Sequence, residues 1–273
     1  MAVKVSVSVC LIPEAKGGPF VLWDDLPAAV KLAAELGFDA IELFPPEPDA
    51  LDPAAVKQLL APHKLAVSAV GSGAGWVRHK LSLTHADTGH RARAIEFARR
   101  MIDFAAALDA PVIVGSMQGR WGEGMSKEAA LGHLGAALTE LGNHAMSRGQ
   151  VLLYEPLNRY ETNLISTIED GLRFVRSLST KGVKLMADLY HMNIEEADIG
   201  GAIRAGGKYI GHVHFADSNR RPAGFGHTDF DAVVAAVREI GYDGYFAAEA
   251  LPYPNPEAAA RQTVRRFREL FPS

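Results

Sequence analysis

The sequence predicts a single (β/α)8 TIM barrel over residues 1–273, and three observations lead to this prediction. Eight short apolar runs recur along the chain, and segments with helical periodicity separate them. Eight such units of about 30 residues fit the chain length and leave room for long loops and a C-terminal helix. The rival fold is an open doubly wound sheet, but no G-x-G-x-x-G turn follows the first apolar run.

The predicted strands are short runs of apolar, often β-branched residues bounded by turn residues. In chain order they are Val5–Cys10, Ala40–Phe44, Leu65–Val70, Pro111–Gly115, Val151–Glu155, Val183–Asp188, Ile210–His214 and Tyr245–Glu249. The predicted helices are Leu26–Leu36, Asp52–Leu60, His90–Leu108, Ser126–Ser147, Ile168–Ser177, Phe230–Ile240 and Pro256–Leu270.

Residues that begin and end helices support these boundaries. Four glycines stand between a predicted helix and the next strand: Gly37, Gly149, Gly182 and Gly241. Glycine closes a helix there because it adopts the left-handed conformation without steric cost. Asp229 or Thr228 is expected to cap the helix that follows them. The glycine-rich segment 71–75 lacks the lysine of a phosphate-binding loop, so we predict a flexible active-site loop there.

Composition excludes several classes of protein. The formal net charge is −4 and no basic run occurs, which argues against a nucleic-acid partner. The one cysteine, Cys10, can form neither an internal disulfide nor a thiolate-rich metal site, and we predict buried apolar filler. No apolar stretch is long enough to cross a membrane, and the N-terminus alternates like a strand instead of forming a secretory signal. A cytoplasmic location is therefore predicted.

Four side chains suited to metal binding close four consecutive predicted strands. These strand-end side chains are Glu155, Asp188, His214 and Glu249. In a barrel of this type the C-terminal ends of the strands form one rim, where function is located. A single carboxylate in such a place is often a helix cap or a surface group, but four in succession point to one shared site.

A divalent cation is the expected occupant of that site. Carboxylates held close together raise each other's pKa, and burial raises it further, so a bound cation relieves both effects. Three carboxylates and one imidazole form an oxygen-rich donor set, which suits Mn²⁺ best. Mg²⁺, Co²⁺ and Zn²⁺ are the alternatives, and Fe²⁺ stays open.

Two further polar residues lie near this set. His212 precedes His214 by two positions, so both face the same side of a strand, and we predict a hydrogen-bonded histidine in the barrel interior. Glu42, near the end of the second predicted strand, is expected at the rim or behind the metal ligands.

Four segments of the chain resemble a known family. They are YEPLNRYETN (154–163), ADLYHMNIEE (187–196), HVHFADSNRR (212–221) and AAEALP (247–252). With them the chain resembles the xylose isomerase-like sugar isomerase and epimerase barrels, including the D-tagatose and D-psicose 3-epimerases. It resembles the 5-keto-L-gluconate epimerase-like proteins still more closely. That resemblance includes the segments KLSLTH (80–85) and GFGHTDF (224–230).

The resemblance implies roles for individual side chains. The metal ligands of the ketose 3-epimerases fall on the four strand-end side chains. Substrate oxygens are bound in that family at the positions that hold His191 and Arg220 here, and Glu161 matches another substrate-contacting position. His227 is a further substrate-binding candidate, with a structural role in its loop as the alternative.

The chemistry of such a site agrees with the resemblance. A cation that binds a carbonyl oxygen and the neighbouring hydroxyl acidifies the adjacent C–H and stabilises the enediolate. Epimerisation needs one base on each face of that carbon, and the resemblance gives this role to Glu155 and Glu249. We therefore predict a metal-dependent epimerase of a keto sugar or keto sugar acid of the 5-keto-L-gluconate type. The substrate is expected to be unphosphorylated.

Other functions remain open at this point. A D-tagatose or D-psicose type 3-epimerase, or an aldose–ketose isomerase similar to hydroxypyruvate isomerase, would use the same metal and enediolate. A DNA-cutting barrel related to endonuclease IV would need more metal-binding histidines and a basic groove. A sugar-binding barrel without activity would not need both glutamates, and a lyase acting on an oxidised glycoside stays open.

The expected partner is a small sugar or sugar acid, and the resemblance implies a homo-oligomer, a dimer or a tetramer.

Overall fold

A closed barrel of eight parallel strands forms the centre of the molecule, in a computed structural model that describes residues 3–122 and 124–272. The barrel strands are β1 (Lys4–Cys10), β3 (Ala40–Phe44), β4 (Ala66–Gly71), β5 (Val112–Val114), β6 (Leu152–Tyr154), β7 (Val183–Asp188), β8 (Ile210–His214) and β9 (Tyr245–Ala248). An additional two-residue strand, β2 (Leu22–Trp23), pairs with the end of β1. The predicted fold class is confirmed, and each predicted strand lies within one residue of an observed one.

Barrel closure depends on the first and last strands. β1 pairs with β9 through its residues 4–7 and with the two-residue strand β2 through its residues 9 and 10. The other side of β1 pairs with β3, and each later strand pairs in parallel with the next. All eight C-terminal strand ends therefore open onto one rim.

Helices surround the barrel. They are α1 (Leu26–Leu36), α2 (Pro53–Leu60), α3 (Ala74–Val77), α4 (Thr88–Ala107), α5 (Lys127–Ser147), α6 (Ile168–Ser177), α7 (Leu189–Glu195), α8 (Ile199–Gly206), α9 (Phe230–Glu239) and α10 (Pro256–Leu270). All seven predicted helices are present with ends shifted by two residues at most. α7 and α8 were not predicted, and part of the segment expected as a flexible loop at 71–75 belongs to α3. Within the described ranges, no helix combines the length and apolar character that a bilayer crossing needs.

Most of the predicted helix ends are observed. The Asp229 carboxylate caps α9 by accepting a hydrogen bond of 3.0 Å from the backbone N–H of Ala232. Gly37, Gly149 and Gly241 have positive φ angles of 83°, 76° and 66°, as a left-handed helix end requires.

The barrel interior is part apolar and part polar. A small buried cluster inside it consists of Ala69, Ile113, Leu153 and Met186. On β1, Val5, Val7 and Val9 join the large core shared with the helices, so the alternating Ser6 and Ser8 face inward. The interior therefore holds buried polar groups directly beneath the rim.

Candidate active site

The four strand-end side chains form one buried cluster at the rim. Nδ1 of His214 lies 3.0 Å from Oδ2 of Asp188 and 3.5 Å from Oε2 of Glu249. The same nitrogen lies 3.7 Å from Oε1 of Glu155. None of the four residues is more than 9% exposed. The structure thus brings together the side chains that the sequence predicted at one site.

Local structure aims the Asp188 carboxylate. Asp188 ends β7 and is also the N-cap of α7, where Oδ1 accepts hydrogen bonds from the backbone N–H groups of Tyr190, at 2.8 Å, and His191, at 3.3 Å. One oxygen therefore satisfies the helix start, while Oδ2 is left to face the cluster.

Arg220 contacts two members of the cluster. Its Nη1 donates to Oδ2 of Asp188 at 2.9 Å, and its Nη2 donates to Oε2 of Glu249. The guanidinium carbon lies 4.7 Å from the centre of the Tyr190 ring. Its buried Nε has no hydrogen-bond partner among the described residues, so a donor remains for a bound molecule.

The Arg220 loop is held by a second aspartate. Asp217 is 1% exposed, and its carboxylate accepts hydrogen bonds from the backbone N–H groups of Ser218, Gly224 and Thr228 at 2.7–3.0 Å. These contacts connect the turn before Arg220 to the chain that follows it, and so they restrict where the guanidinium can lie.

His191 is a buried residue beside the cluster. Its Nδ1 is 2.7 Å from Nδ2 of Asn158 and so accepts a hydrogen bond, which leaves the hydrogen on Nε2. That Nε2 lies 3.8 Å from Oε1 of Glu155 and 3.7 Å from Oδ2 of Asp188. Burial lowers the pKa of His191 to about 3, so the ring is a neutral donor. Glu161 lies 3.8 Å from Nδ1 of the same ring.

The remaining predicted residue lies elsewhere. His227 is exposed on the loop after Arg220, and its backbone N–H donates to Oγ of Ser218 at 3.0 Å. It does not line the cavity above the cluster. The contacts of His227 match the structural alternative more closely than a substrate contact.

A cavity of about 520 Å³ opens above the cluster, a size typical of small-molecule sites. Its polar floor contains Glu155, Glu161, His191, Arg220 and Glu249. Its walls include the apolar side chains Ile12, Phe20, Phe44, Val77, Leu157 and Leu251. A ligand with several oxygens at one end would find a dense set of donors and acceptors on this floor.

The carboxylates of the cluster differ in their protonation. Burial raises the pKa of Glu155 to about 8, and the neighbouring Asp188 carboxylate adds to the rise. Burial also acts against ionisation of Asp188, but the Arg220 guanidinium outweighs it and holds the pKa of Asp188 well below its ordinary value. Two carboxylates in one site with pKa values pushed apart are typical of acid–base chemistry.

The donor set fits a divalent cation. The candidate ligand atoms of Asp188, His214 and Glu249 all lie within 4.8 Å of one another, as do those of Glu155, Asp188 and His191. The raised pKa of Glu155 means that this carboxyl group ionises reluctantly beside Asp188, and a bound cation would favour its ionised form. The four strand-end side chains could therefore hold such an ion through three oxygens and one imidazole nitrogen.

Sequence reasoning missed two residues of the site. Gln118 donates from Nε2 to the backbone oxygen of Glu155 at 2.9 Å, and its Oε1 accepts a hydrogen bond from the Tyr154 hydroxyl at 2.8 Å. It therefore fixes the end of β6. Tyr190 supports the Arg220 guanidinium. Both residues follow a strand end closely, and that position is the signal that could have identified them.

Comparisons with known proteins match the chain to one family and to relatives named as epimerases. Residues 30–270 match the model of the family described as xylose isomerase-like TIM barrel. The chain is 28% identical over 261 residues to the D-psicose 3-epimerase of Agrobacterium fabrum, which covers 94% of this chain and 86% of that protein. It is 31% identical over 265 residues to the L-ribulose 3-epimerase of a Methylomonas species, which covers 93% of this chain and 91% of that protein.

A solved structure agrees in fold. The crystal structure of D-psicose 3-epimerase with D-tagatose from Clostridium cellulolyticum H10 has a TM-score of 0.83 to this chain. The match covers 98% of this chain and 99% of that one, at 22% sequence identity.

Proposed function

Because this chain belongs to the xylose isomerase-like TIM barrel family, we propose that it is a metal-dependent epimerase of a free ketose. Among the relatives matched over more than nine-tenths of the chain are two D-psicose 3-epimerases and an L-ribulose 3-epimerase, which supports inversion at the carbon next to the carbonyl. The observation that carries the proposal is the convergence of Glu155 and Glu249 with Asp188 and His214 beneath one cavity.

The four strand-end side chains are assigned as ligands of one divalent cation. Mn²⁺ is the first choice, and Mg²⁺, Co²⁺ and Zn²⁺ are the alternatives. When bound, the cation would polarise the substrate carbonyl and so acidify the C–H beside it. The support is the oxygen-rich donor set.

Proton transfer is assigned to the two glutamates. Glu155 follows β6 and Glu249 follows β9, so the two carboxylates enter the site from different strands. One takes the proton from the substrate carbon, and the other returns a proton to the opposite face.

Binding and orientation of the sugar are assigned to three other residues. His191 offers its Nε2–H and Arg220 its unpartnered Nε–H, so both can donate to substrate oxygens and to the negative charge that develops there. Glu161 lines the cavity and can accept from hydroxyl groups. His227 receives no role in substrate binding in this proposal because it lies outside the cavity lining.

A keto sugar acid of the 5-keto-L-gluconate type is the second candidate substrate. The observation that favours it is Lys16, whose side chain lines the cavity and carries a charge complementary to a carboxylate. Lys16 also pairs with Asp24, so a carboxylate would compete with that contact. The glycine-rich segment 71–75 lacks the lysine of a phosphate-binding loop, and an unphosphorylated substrate is proposed.

Exchange of substrate hydrogen with D₂O tests the proposal. The protein is loaded with Mn²⁺ and incubated with D-psicose, L-ribulose and 5-keto-L-gluconate, and the products are identified by NMR. Deuterium at one carbon with inversion supports an epimerase, and the substrate that exchanges fastest identifies its class. Deuterium at the neighbouring carbon with formation of an aldose indicates an isomerase. Activity with phosphorylated sugars alone would contradict the assignment of a free ketose.

Three further predictions accompany this function. We propose that residues 1–273 form one (β/α)8 domain, that the protein works in the cytoplasm, and that it is a homo-oligomer, a dimer or a tetramer. These rest on sequence pattern and resemblance. Light scattering coupled to size-exclusion chromatography tests the oligomer, with a mass near 29.4 kDa as the contrary result.

A further inference from the structure

A fully buried carboxylate lies behind the candidate metal ligands. Glu42 of β3 is 0% exposed, and its two oxygens face different imidazoles. Oε2 lies 2.5 Å from Nε2 of His212, and Oε1 lies 3.0 Å from Nε2 of His214. Burying a carboxylate in this way is unfavourable unless its partners are well placed, so the arrangement calls for a functional explanation.

These contacts are hydrogen bonds, not a second metal site. The separations of 2.5 and 3.0 Å are those of direct hydrogen bonds. Two ligand atoms of one cation, each bound at about 2.0–2.2 Å, lie at least about 2.8 Å apart, so the 2.5 Å between Oε2 of Glu42 and Nε2 of His212 leaves no place for a cation between them. Glu42 and its two histidines therefore act on each other directly.

The hydrogen bonds to Glu42 place a hydrogen on Nε2 of each imidazole. An ionised carboxylate can only accept, so each imidazole must donate from Nε2 to Glu42. A neutral ring with its hydrogen on Nε2 has a free lone pair on Nδ1. That is the atom of His214 that faces Asp188, Glu249 and Glu155, and it forms a hydrogen bond of 3.0 Å with Oδ2 of Asp188. A cation bound in the cluster would take the place of the hydrogen in that contact, while Glu42 keeps the hydrogen on Nε2.

We propose that Glu42 is a positioning residue that holds His214 in its Nε2–H form and so directs the lone pair of Nδ1 to a bound divalent cation. His212 holds the second oxygen of Glu42 and stops the carboxylate from turning away. The inference rests on the proposed metal site. Carboxylates that orient a metal-binding histidine commonly contribute 10–100-fold, in order of magnitude, to metal affinity.

Mn²⁺ binding measured by calorimetry and electron paramagnetic resonance tests this role without any measurement of activity. Glu42→Gln is expected to weaken Mn²⁺ binding by about 10–100-fold, because the amide nitrogen cannot accept a hydrogen bond and leaves one imidazole without its acceptor. Equal affinity in this variant and in the unchanged protein would overturn the role of Glu42 alone. An unchanged protein that binds no Mn²⁺ would overturn the metal site itself.

Asp103→Asn is the matched control. Asp103 of α4 accepts from Nε2 of His144 at 2.8 Å, so it forms the same kind of carboxylate–histidine pair outside the site. Its replacement is expected to leave Mn²⁺ affinity unchanged. A comparable loss in both variants would show a general effect of disrupting such pairs and would contradict the specific role of Glu42.

A measurement on the unchanged protein covers the case in which Glu42→Gln does not fold. With ¹⁵N-labelled histidine and diamagnetic Zn²⁺ bound, NMR reports which ring nitrogen carries hydrogen. His214 is expected to show hydrogen on Nε2, protected from solvent exchange, and none on Nδ1. Hydrogen on Nδ1, or a freely exchanging Nε2–H, would overturn the proposal.

Discussion

Arg220 donates from Nη1 to Oδ2 of Asp188 across 2.9 Å, although its backbone φ of 61° is one that residues other than glycine seldom adopt. The Asp217 carboxylate stabilises the same loop through backbone hydrogen bonds, and the backbone oxygen of Arg220 accepts from the N–H of Leu251 at 2.8 Å. Strained backbone persists where the surroundings over-determine it, often at functional sites. The guanidinium is therefore placed by its backbone as much as by its ion pairs.

Arg220→Lys is expected to lower kcat/KM by about 10²–10³-fold, the usual cost of removing one oriented donor from a reaction centre. A lysine ammonium cannot reproduce the two-pronged contact with Asp188 and Glu249. Steady-state kinetics with the ketose that exchanges in D₂O measures the change. Arg221→Lys is the control, because Arg221 stacks on Tyr253 outside the cavity lining and should tolerate the change. Unchanged kinetics in Arg220→Lys would remove this residue from the site.

Glu249→Gln is expected to reduce deuterium incorporation by about 10²–10⁴-fold, because an amide can neither take nor return the substrate proton. The assay needs saturating Mn²⁺, with metal content measured in parallel, since Glu249 is also a predicted ligand. Glu257→Gln, an exposed glutamate paired with Arg261 on α10, serves as the control and should exchange normally. Exchange at the unchanged rate in Glu249→Gln would leave proton transfer to other groups.

The order of strands and most helices could be predicted because each apolar run or periodic stripe is long enough to carry its own signal. α7 and α8 were not predicted because their sequences carry no such signal. α7 begins at the residue after Asp188 and spans seven residues of mixed polarity. α8 contains Gly200, Gly201 and Gly206, which read as a loop. Gly200 is needed for packing, since a Cβ there would lie 3.1 Å from the backbone oxygen of Ala232 on α9.

Part of the candidate site could likewise be predicted from the sequence, and part could not. Glu155, Asp188, His214 and Glu249 could be predicted because each closes a strand, and parallel strands of a barrel end at one rim. The hydrogen bond between Glu42 and His214 joins residues 172 positions apart, so it exists only once the barrel closes. No sequence pattern gives the contact between these two side chains.

Mn²⁺ is expected to raise the melting temperature. At a free concentration of about 100 times its Kd, a ligand that binds only the folded state stabilises it by about 2.7 kcal/mol. For a chain of this size the shift is about 5–10 °C, measurable by calorimetry. Asp188→Asn should abolish the Mn²⁺-dependent rise. Asp198→Asn, which replaces the N-cap residue of α8 outside the site, should retain it. An equal rise in both variants would contradict the assignment of Asp188 as a ligand.

Cys10 is expected to be unreactive in the folded protein. It is 0% exposed, and burial raises the pKa of its thiol to about 12. At pH 8 only about one such thiol in 10⁴ is ionised, and the thiolate is the reactive form. A chromogenic disulfide reagent should therefore titrate one thiol per chain in guanidinium chloride and almost none in buffer. Rapid reaction of the native protein would show that the end of β1 is open to solvent.

Gly115→Ala is expected to weaken Mn²⁺ binding, and Gly132→Ala is expected to stabilise the fold without changing Mn²⁺ binding. A Cβ at Gly115, directly after β5, would lie 2.2 Å from Oε2 of Glu155, so the carboxylate would have to move out of the cluster. Mn²⁺ affinity should fall by about 10-fold or more in that variant, as expected when a ligand loses its orientation. A Cβ at Gly132 of α5 meets nothing within 4 Å. Gly132→Ala should therefore raise the free energy of unfolding by up to about 1 kcal/mol through helix propensity and leave Mn²⁺ binding unchanged. If Gly115→Ala bound Mn²⁺ as tightly as Gly132→Ala does, the assignment of Glu155 as a metal ligand that needs the space beside Gly115 would be wrong.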